Sequence, residues 1–300
     1  MKIGRYHSSS GCEGVVVFSK GKAIDFSRAL DDYYLNTGLC GRIYTSIQDM
    51  LDDGVFTVSF VEPVIKWAED RLDHGFDDLT LTDYRLLAPI KRPPSIYALG
   101  RNFPSHAMEH AGRLSEEPIV FAKASGSVIG PDEPIIYKRF LTRVDPEAEL
   151  AVIIGREGSN ISECDAESFV AGYTILNDIT ARDMQSADIA ISHPWFRSKS
   201  IDTFCPMGPF VVLPDEIKEP VELDIELRVN GELRQKDNTC NLTFKIPYVI
   251  SWLSRYLTLV PGDVIAMGTP EGMKPVFPGD VIEITIENIG VLRNPVAAEL

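Results

Sequence analysis

Two glutamates stand at the start of a hydrophobic strand, where apolar side chains are expected. Glu147 and Glu149 lead directly into the apolar run 150–154. Residues two apart in a strand point to the same face, so these carboxylates project together, and they are costly to bury unless a cation lies between them. A third carboxylate, Asp178, ends the apolar strand 171–177. We interpret the three as ligands of a hard divalent ion such as Mg²⁺. Two exposed glutamates and a helix-capping aspartate are the alternative.

A histidine and a glutamate three residues apart could form a general base. His106 and Glu109 would share one face of a helical turn, and a carboxylate beside an imidazole orients it and raises its basicity. Residues 106–110 also match the His-x-x-Glu-His motif of inverted zinc proteases. That motif needs a well-formed helix, whereas Pro104 precedes this segment and Gly112 soon follows it. A polar helix start without chemistry is the remaining interpretation.

Four further polar residues could donate hydrogen bonds to an anionic substrate or to a developing enolate. Arg182 and Gln185 are three residues apart and would share the helix face that follows Asp178. Lys199 comes shortly afterwards, and Thr269 lies in the segment Gly268-Thr269-Pro270 that follows the predicted strand 263–267. Taken singly, each of the four also fits an ordinary surface or structural position.

The first 90 residues are predicted to form a small N-terminal α/β domain. A short β run covers 14–18, and helices are predicted over 46–52 and 64–72. A cluster of prolines between residues 89 and 94 then predicts a boundary, with the catalytic domain over 91–300.

The rest of the chain is rich in predicted strands. These lie at 95–100, 119–121, 135–137, 263–267 and 281–286, and a hairpin turns at Asn230-Gly231, a pair suited to a type I′ turn. A helix is predicted over 246–256. The fold class is therefore α+β and β-rich, not a doubly wound sheet. No glycine-rich nucleotide motif occurs.

Composition narrows the range of partners. The 300 residues include 29 Lys plus Arg against 44 Asp plus Glu, a formal charge of −15. An acidic surface disfavours nucleic acid and membrane partners, although a metal in the site would still attract a small anionic substrate. The five cysteines lack Cys-x-x-Cys spacing, and the N-terminus lacks an apolar signal core. We expect a reducing compartment, the cytoplasm.

Taken together, the motifs occur in the order of one known family. His-x-x-Glu is followed by Glu-x-Glu-Leu, Asn-Asp-x-x-Ala-Arg-Asp-x-Gln, Lys-Ser-x-Asp-Thr-Phe and Pro-Gly-Asp-Val-Ile-x-x-Gly-Thr-Pro. This pattern resembles the fumarylacetoacetate hydrolase superfamily over roughly residues 95–297. The resemblance implies a mixed β-roll preceded by a variable N-terminal domain, a homodimer, and a role such as aromatic catabolism.

The resemblance also implies roles for the residues of the site. Glu147, Glu149 and Asp178 would hold Mg²⁺ or Mn²⁺, and His106 with Glu109 would be the catalytic dyad of the acylpyruvate hydrolase and oxaloacetate decarboxylase branch. The founding hydrolases have a further carboxylate ligand upstream of the histidine, at a position that would fall near Leu99 here; leucine cannot coordinate a metal, which favours the acylpyruvate hydrolase branch.

The predicted reaction is metal-dependent hydrolysis of a C–C bond in a 2,4-dioxo acid, of the acylpyruvate or fumarylpyruvate type, through a metal-bound enolate. Lys199 and Gln185 would stabilise the enolate, Arg182 and Thr269 would bind the substrate, and residues 186–195 would line the pocket for its distal group. Oxaloacetate decarboxylase and 2-hydroxyhepta-2,4-diene-1,7-dioate isomerase share this enolate chemistry and stay open as alternatives. A non-catalytic metal-binding protein is the alternative from another class.

Overall fold

Strands dominate the structure and form three sheets in the part of the chain that is described. The computed structural model describes residues 1–105, 108 and 114–300. The strands are β1 (Lys2–Ser8), β2 (Glu13–Ser19), β3 (Lys22–Asp25), β4 (Tyr84–Leu87), β5 (Ile96–Gly100), β6 (Ile119–Lys123), β7 (Val128–Ile129), β8 (Ile135–Tyr137), β9 (Val144–Asp145), β10 (Ala148–Ile154), β11 (Val170–Asn177), β12 (Thr180–Ala181), β13 (Cys205–Val212), β14 (Asp224–Val229), β15 (Glu232–Asn238), β16 (Val264–Ala266), β17 (Val281–Ile286) and β18 (Gly290–Ala298).

The helices are few and mostly short. Those whose two ends both lie in the described residues are α1 (Phe26–Thr37), α2 (Ile47–Asp52), α3 (Val58–Asp73), α4 (Arg182–Ala190), α5 (Phe196–Lys199) and α6 (Ile246–Ser254). The predicted β-rich α+β class is confirmed. None of these helices is long and apolar enough to cross a membrane.

The largest sheet carries the site and also includes the N-terminal strands. Its order is β3-β2-β1-β13-β11-β10-β16-β5-β6, with β4 beside β1 and β7 beside β13. A second sheet has the order β15-β14-β17-β18-β8, and β9 pairs with β12. In the hairpin between β14 and β15, Asn230 and Gly231 have φ values of 53° and 81°, as a type I′ turn requires.

The N-terminal segment is continuous with the rest of the fold. Strand β1 pairs antiparallel with β13, so that Ile3 lies opposite Val211. One apolar core contains residues from both sides of residue 90, among them Phe26, Val61 and Ala151. The domain boundary at residue 90 therefore stays a prediction, because both the sheet and this core extend across it.

Four neighbouring strands bring their site-bearing ends to one edge of the large sheet. Strand β10 runs antiparallel to β11 and to β16, and β16 runs parallel to β5. The start of β10 therefore lies beside the ends of β11, β16 and β5. Glu147, Asp178 and Arg101 directly adjoin these strand ends, and Gly268 lies two residues beyond the end of β16.

Candidate active site

Three buried carboxylates meet at this edge of the sheet. Glu147 and Glu149 come from the start of β10, and Asp178 directly follows β11. One oxygen from each lies within 4.8 Å of the others, and the three residues are at most 4% exposed. The backbone supports this arrangement, because Asp178 N–H donates to the Glu147 carbonyl at 2.9 Å. The three carboxylates that the sequence predicts to form one cluster therefore lie together in the structure.

The donor set of this cluster fits a hard divalent cation. All three groups offer carboxylate oxygens, which are the ligands that Mg²⁺ and Mn²⁺ prefer. Glu149 accepts a hydrogen bond from Gly268 N–H at 2.8 Å, but none of the described residues forms an ion pair with it. Burial raises the pKa of Glu149 well above its ordinary value, and the Asp178 and Glu147 carboxylates raise it further. A divalent ion would supply the positive charge that this glutamate lacks.

A layer of cations surrounds the cluster. Lys199 Nζ lies 2.7 Å from Glu147 Oε2 and 2.5 Å from Asp178 Oδ2. Burial opposes the charge of Lys199, but the Asp178 and Glu147 carboxylates raise its pKa above the ordinary value, so the ammonium form is favoured. Lys123 Nζ donates to the other oxygen of Asp178 at 2.6 Å and also to the Lys199 carbonyl.

Arg182 links the cluster to the start of α4. Its guanidinium donates to Glu147 Oε1, to Asp145 Oδ2 at 2.9 Å and to Gln185 Oε1 at 2.7 Å. Burial opposes its charge, but Glu147 and Asp145 raise the pKa of Arg182. Because Arg182 holds the Gln185 oxygen, the NH₂ group of that amide is the end free to donate.

This assembly contains equal numbers of acidic and basic side chains. Four carboxylates and four basic side chains make it up: Asp145, Glu147, Glu149 and Asp178 with Lys123, Arg143, Arg182 and Lys199. A bound divalent ion would give the site a net positive charge, which attracts an anionic substrate.

One cavity of about 290 Å³ opens onto the cluster. Glu147 and Glu149 line it together with the predicted donors Lys199, Gln185, Arg182 and Thr269. Thr269 Oγ1 is held at 3.0 Å by the amide nitrogen of Gln235, whose oxygen accepts from Ala148 N–H. Three of the residues 186–195 line this cavity, as does Leu99, and their role as a pocket for the distal group of a substrate stays a prediction. The full lining is Leu99, Gly100, Arg101, Phe121, Glu147, Glu149, Arg182, Gln185, Ser186, Ile189, Trp195, Lys199 and Thr269.

The two residues of the predicted catalytic dyad, His106 and Glu109, lie outside the described residues. Their role as a general base stays a prediction. Sequence reasoning also missed several residues of the site, among them Lys123, Asp145 and Gln235. Asp145 stands two residues before Glu147 in the same charged run, and that spacing was a usable signal. Lys123 is a single polar residue at the end of an apolar strand, and Gln235 lies within the polar run 234–238, so neither pattern marks a buried site residue.

Comparison with known proteins identifies the family. The family model for the fumarylacetoacetate (FAA) hydrolase C-terminal region matches residues 95–297. This chain belongs to the fumarylacetoacetate hydrolase family. The family assignment agrees with the resemblance drawn from the motifs, and it places the buried carboxylate cluster in a family of enzymes.

The similar proteins differ in the reactions that their names describe. The chain is 41% identical over 242 residues to the mitochondrial oxaloacetate tautomerase fahd2 of Xenopus laevis, covering 78% of this chain and 75% of that protein. The solved structure of 5-carboxymethyl-2-hydroxymuconate delta-isomerase from Mycobacterium smegmatis superposes with a TM-score of 0.74 and 33% identity, covering 100% of both chains. Maleylpyruvate hydrolase from Sphingobium sp. SYK-6 gives a TM-score of 0.75 and 28% identity, again over 100% of both.

These comparisons leave several predictions open. The relative from Xenopus laevis is described as mitochondrial, so a cytoplasmic location for this chain stays a prediction. The homodimer, the choice between Mg²⁺ and Mn²⁺ and a role in aromatic catabolism stay predictions as well.

Proposed function

We propose that this chain is a divalent-metal-dependent enzyme that interconverts the keto and enol forms of a 2-oxo acid. The observation that carries the proposal is the shared cavity, which is lined by Glu147 and Glu149 and also by the donors Lys199, Gln185 and Thr269. An ion held by the carboxylate cluster would polarise the 2-oxo group and orient the neighbouring carboxylate. The tautomerase name of a relative 41% identical over 242 residues supports the same reaction.

The residues of the cavity suit the charge that this reaction develops. When the C–H bond next to the oxo group breaks, the proton goes to a base and the electron pair moves toward the oxo oxygen. The Lys199 ammonium and the Gln185 NH₂ group are donors that would stabilise this oxygen, and such preorganised donors contribute about 3–4 kcal/mol each. The base in this proposal is His106, oriented by Glu109. Reprotonation on carbon or on oxygen completes the exchange without any further reactant.

Hydrolysis of a 2,4-dioxo acid is the second candidate. The same enolate is the leaving group when water attacks the distal carbonyl of an acylpyruvate, and the base would then activate that water. The similarity over the full chain to a maleylpyruvate hydrolase favours this reaction. Decarboxylation of oxaloacetate and isomerisation of an unsaturated 2-oxo diacid pass through related enolates and belong to the same test.

A panel assay on metal-stripped protein tests the proposal. Oxaloacetate, acetylpyruvate, fumarylpyruvate and an unsaturated 2-oxo diacid are each supplied with and without Mg²⁺ or Mn²⁺. We expect metal-dependent loss of the oxaloacetate enol without release of carbon dioxide. Metal without protein is the necessary blank, because free divalent ions promote the same chemistry slowly.

Two variants connect the result to the site. Glu149→Gln should abolish metal-dependent turnover, and Lys199→Met should lower it about 10²–10³-fold while metal still binds. Release of pyruvate from an acylpyruvate, without tautomerisation, would transfer the assignment to hydrolysis. No turnover of any panel member by protein with bound metal would reject the enzymatic proposal.

A further inference from the structure

Arg101 is a partly buried cation at the cavity that the proposed reaction does not use. It directly follows β5, and it lines the cavity together with the acidic cluster. We propose that the Arg101 guanidinium binds the distal carboxylate of the substrate, so that the enzyme selects 2-oxo diacids over 2-oxo monoacids. This inference rests on the proposed function and adds to it the substrate class.

The partners of the three cations that line the cavity support this role. Arg182 is paired with Asp145 and Glu147, and Lys199 is paired with Glu147 and a second carboxylate. Arg101 has no carboxylate partner among residues 1–105, 108 and 114–300, although it lies in a strongly acidic protein. Arginine presents a planar fork that matches a carboxylate, so an anionic ligand is the partner that this guanidinium lacks.

The backbone holds Arg101 in a conformation that side-chain-bearing residues disfavour. Its φ is 59°, in the left-handed region. The next residue is firmly anchored, because Asn102 donates to the carbonyls of Met267 and Phe244 and accepts from Phe244 N–H, at 2.8–3.1 Å. Strand β5 fixes the preceding side. The fold on both sides of Arg101 therefore fixes the position of this residue at the cavity.

An aromatic platform orients the guanidinium. Its central carbon lies 5.9 Å from the centre of the Trp195 ring, within the range of a cation–π interaction. The ring in turn packs on Gly100, where an added Cβ would come within 2.6 Å of it, and against Phe121 at 5.3 Å between ring centres. Only glycine at position 100 permits this approach, so the residue before Arg101 allows the Trp195 ring to lie beside the guanidinium.

The test compares two acids that differ only at the distal end. Oxaloacetate enolisation and solvent-hydrogen exchange at C3 of 2-oxobutanoate are measured with Mn²⁺ for wild type, Arg101→Gln and Arg101→Lys. We expect Arg101→Gln to raise the KM for oxaloacetate about 10–100-fold, as for loss of a charge-assisted hydrogen bond, and to leave the monoacid KM within about twofold. Arg101→Lys should fall between, because it keeps the charge without the fork. Arg255→Gln, an exposed arginine away from the cavity, is the matched control.

Binding measurements separate this proposal from the proposed function. Calorimetric titrations of oxalate, which lacks a distal group, and of 2-oxoglutarate are made on the same variants with Mn²⁺. Loss of 2-oxoglutarate affinity in Arg101→Gln with unchanged oxalate affinity would support the diacid site even if wild type turns over no 2-oxo acid. Equal changes for diacid and monoacid, no change for either, or no binding of any diacid to wild type would each overturn it. Unchanged melting temperatures confirm that the variants fold.

Discussion

Glu149 differs from the other two carboxylates of the cluster in its surroundings. Glu147 and Asp178 each form ion pairs with Lys199, whereas Glu149 is 1% exposed and accepts a hydrogen bond from the Gly268 backbone N–H. Its raised pKa means that the metal-free folded protein holds the proton of Glu149 to a higher pH than an exposed glutamate does, first because of burial and then because of the neighbouring carboxylates. A bound divalent ion would reverse this preference, so proton and metal compete for the same group.

The contribution of Glu149 to the stability of the metal-free protein should therefore fall as pH rises. The folded pKa of Glu149 lies above the unfolded value of about 4.3, so the folded state binds more protons between the two. The stabilisation is fully present below about pH 4.3 and is lost as pH rises through the folded pKa, by at most about 1.4 kcal/mol per pH unit. The measurement is urea unfolding against pH in a chelator, with wild type compared with Glu149→Gln.

The variant isolates this contribution from the other titrating groups. Glu149→Gln should remove the part of the loss of unfolding free energy with rising pH that Glu149 causes. It should also remove the rise in melting temperature that Mn²⁺ gives to wild type. Glu157→Gln, at an exposed glutamate, should leave both unchanged. Parallel pH profiles for wild type and Glu149→Gln would contradict a raised pKa at this residue.

Lys123 is a second buried charge whose removal has a predictable cost. Its ammonium is fully buried and bonds to Asp178 Oδ1 at 2.6 Å. Lys123→Met would leave a buried carboxylate with one cation partner fewer, and breaking a buried pair in this way costs about 3–5 kcal/mol. Lys138→Met breaks a partly exposed pair with Glu299 and should cost less than about 1 kcal/mol. Urea unfolding of both variants provides the comparison. Similar losses of unfolding free energy would show that the buried Lys123–Asp178 pair contributes no more than the partly exposed pair.

At the scale of elements, the sequence predicts strands and their ends better than it predicts side-chain partners. The period of two placed Glu147 and Glu149 on one face, and an apolar run placed Asp178 at a strand end. The Asn230-Gly231 turn was predicted from its backbone requirement alone. Lys123 was missed because β6 continues two residues past the predicted end at 121, and because a single lysine in a strand carries no sign that its ammonium is buried against Asp178.

Helix α3 shows why element boundaries are harder to predict. The sequence pattern starts the helix at Val64, after a proline, whereas the helix begins at Val58 and contains Pro63. Thr57 makes this earlier start possible, because its hydroxyl accepts a hydrogen bond from Phe60 N–H at 3.3 Å and so caps the first turn.

Loss of this cap should destabilise the protein measurably. Thr57→Ala removes the side-chain acceptor of the Phe60 N–H and leaves this donor only its bond to the Thr57 carbonyl at 3.2 Å, so we expect a loss of about 1 kcal/mol in the free energy of unfolding. Thr57→Ser keeps the hydroxyl and should restore most of the loss. Thr45→Ala, at an exposed threonine outside the helices, is the control, and a loss equal to that of Thr57→Ala would argue against capping.

At the scale of the whole molecule, the main structural question is whether residues 1–90 form a separate unit. The pairing of β1 with β13 and the core shared by Phe26, Val61 and Ala151 favour one cooperative structure. A boundary that prolines mark in the sequence does not by itself make an independent domain, because an independent domain has few contacts across its boundary. Homodimer formation is a separate prediction that sedimentation can test.

Tryptophan fluorescence can test this cooperativity in the intact chain. Trp67 lies in α3, and Trp252 lies in α6 within the family-matched region. Variants that keep one of these two indoles, with the others replaced by Phe, would report on either side of residue 90. In each variant, we expect the urea midpoint from tryptophan fluorescence to equal the midpoint from far-ultraviolet circular dichroism. The two midpoints should agree because the shared sheet and core must unfold together. An earlier transition seen only through Trp67 would instead show that residues 1–90 unfold independently, and the boundary predicted from the prolines would then be a true domain boundary.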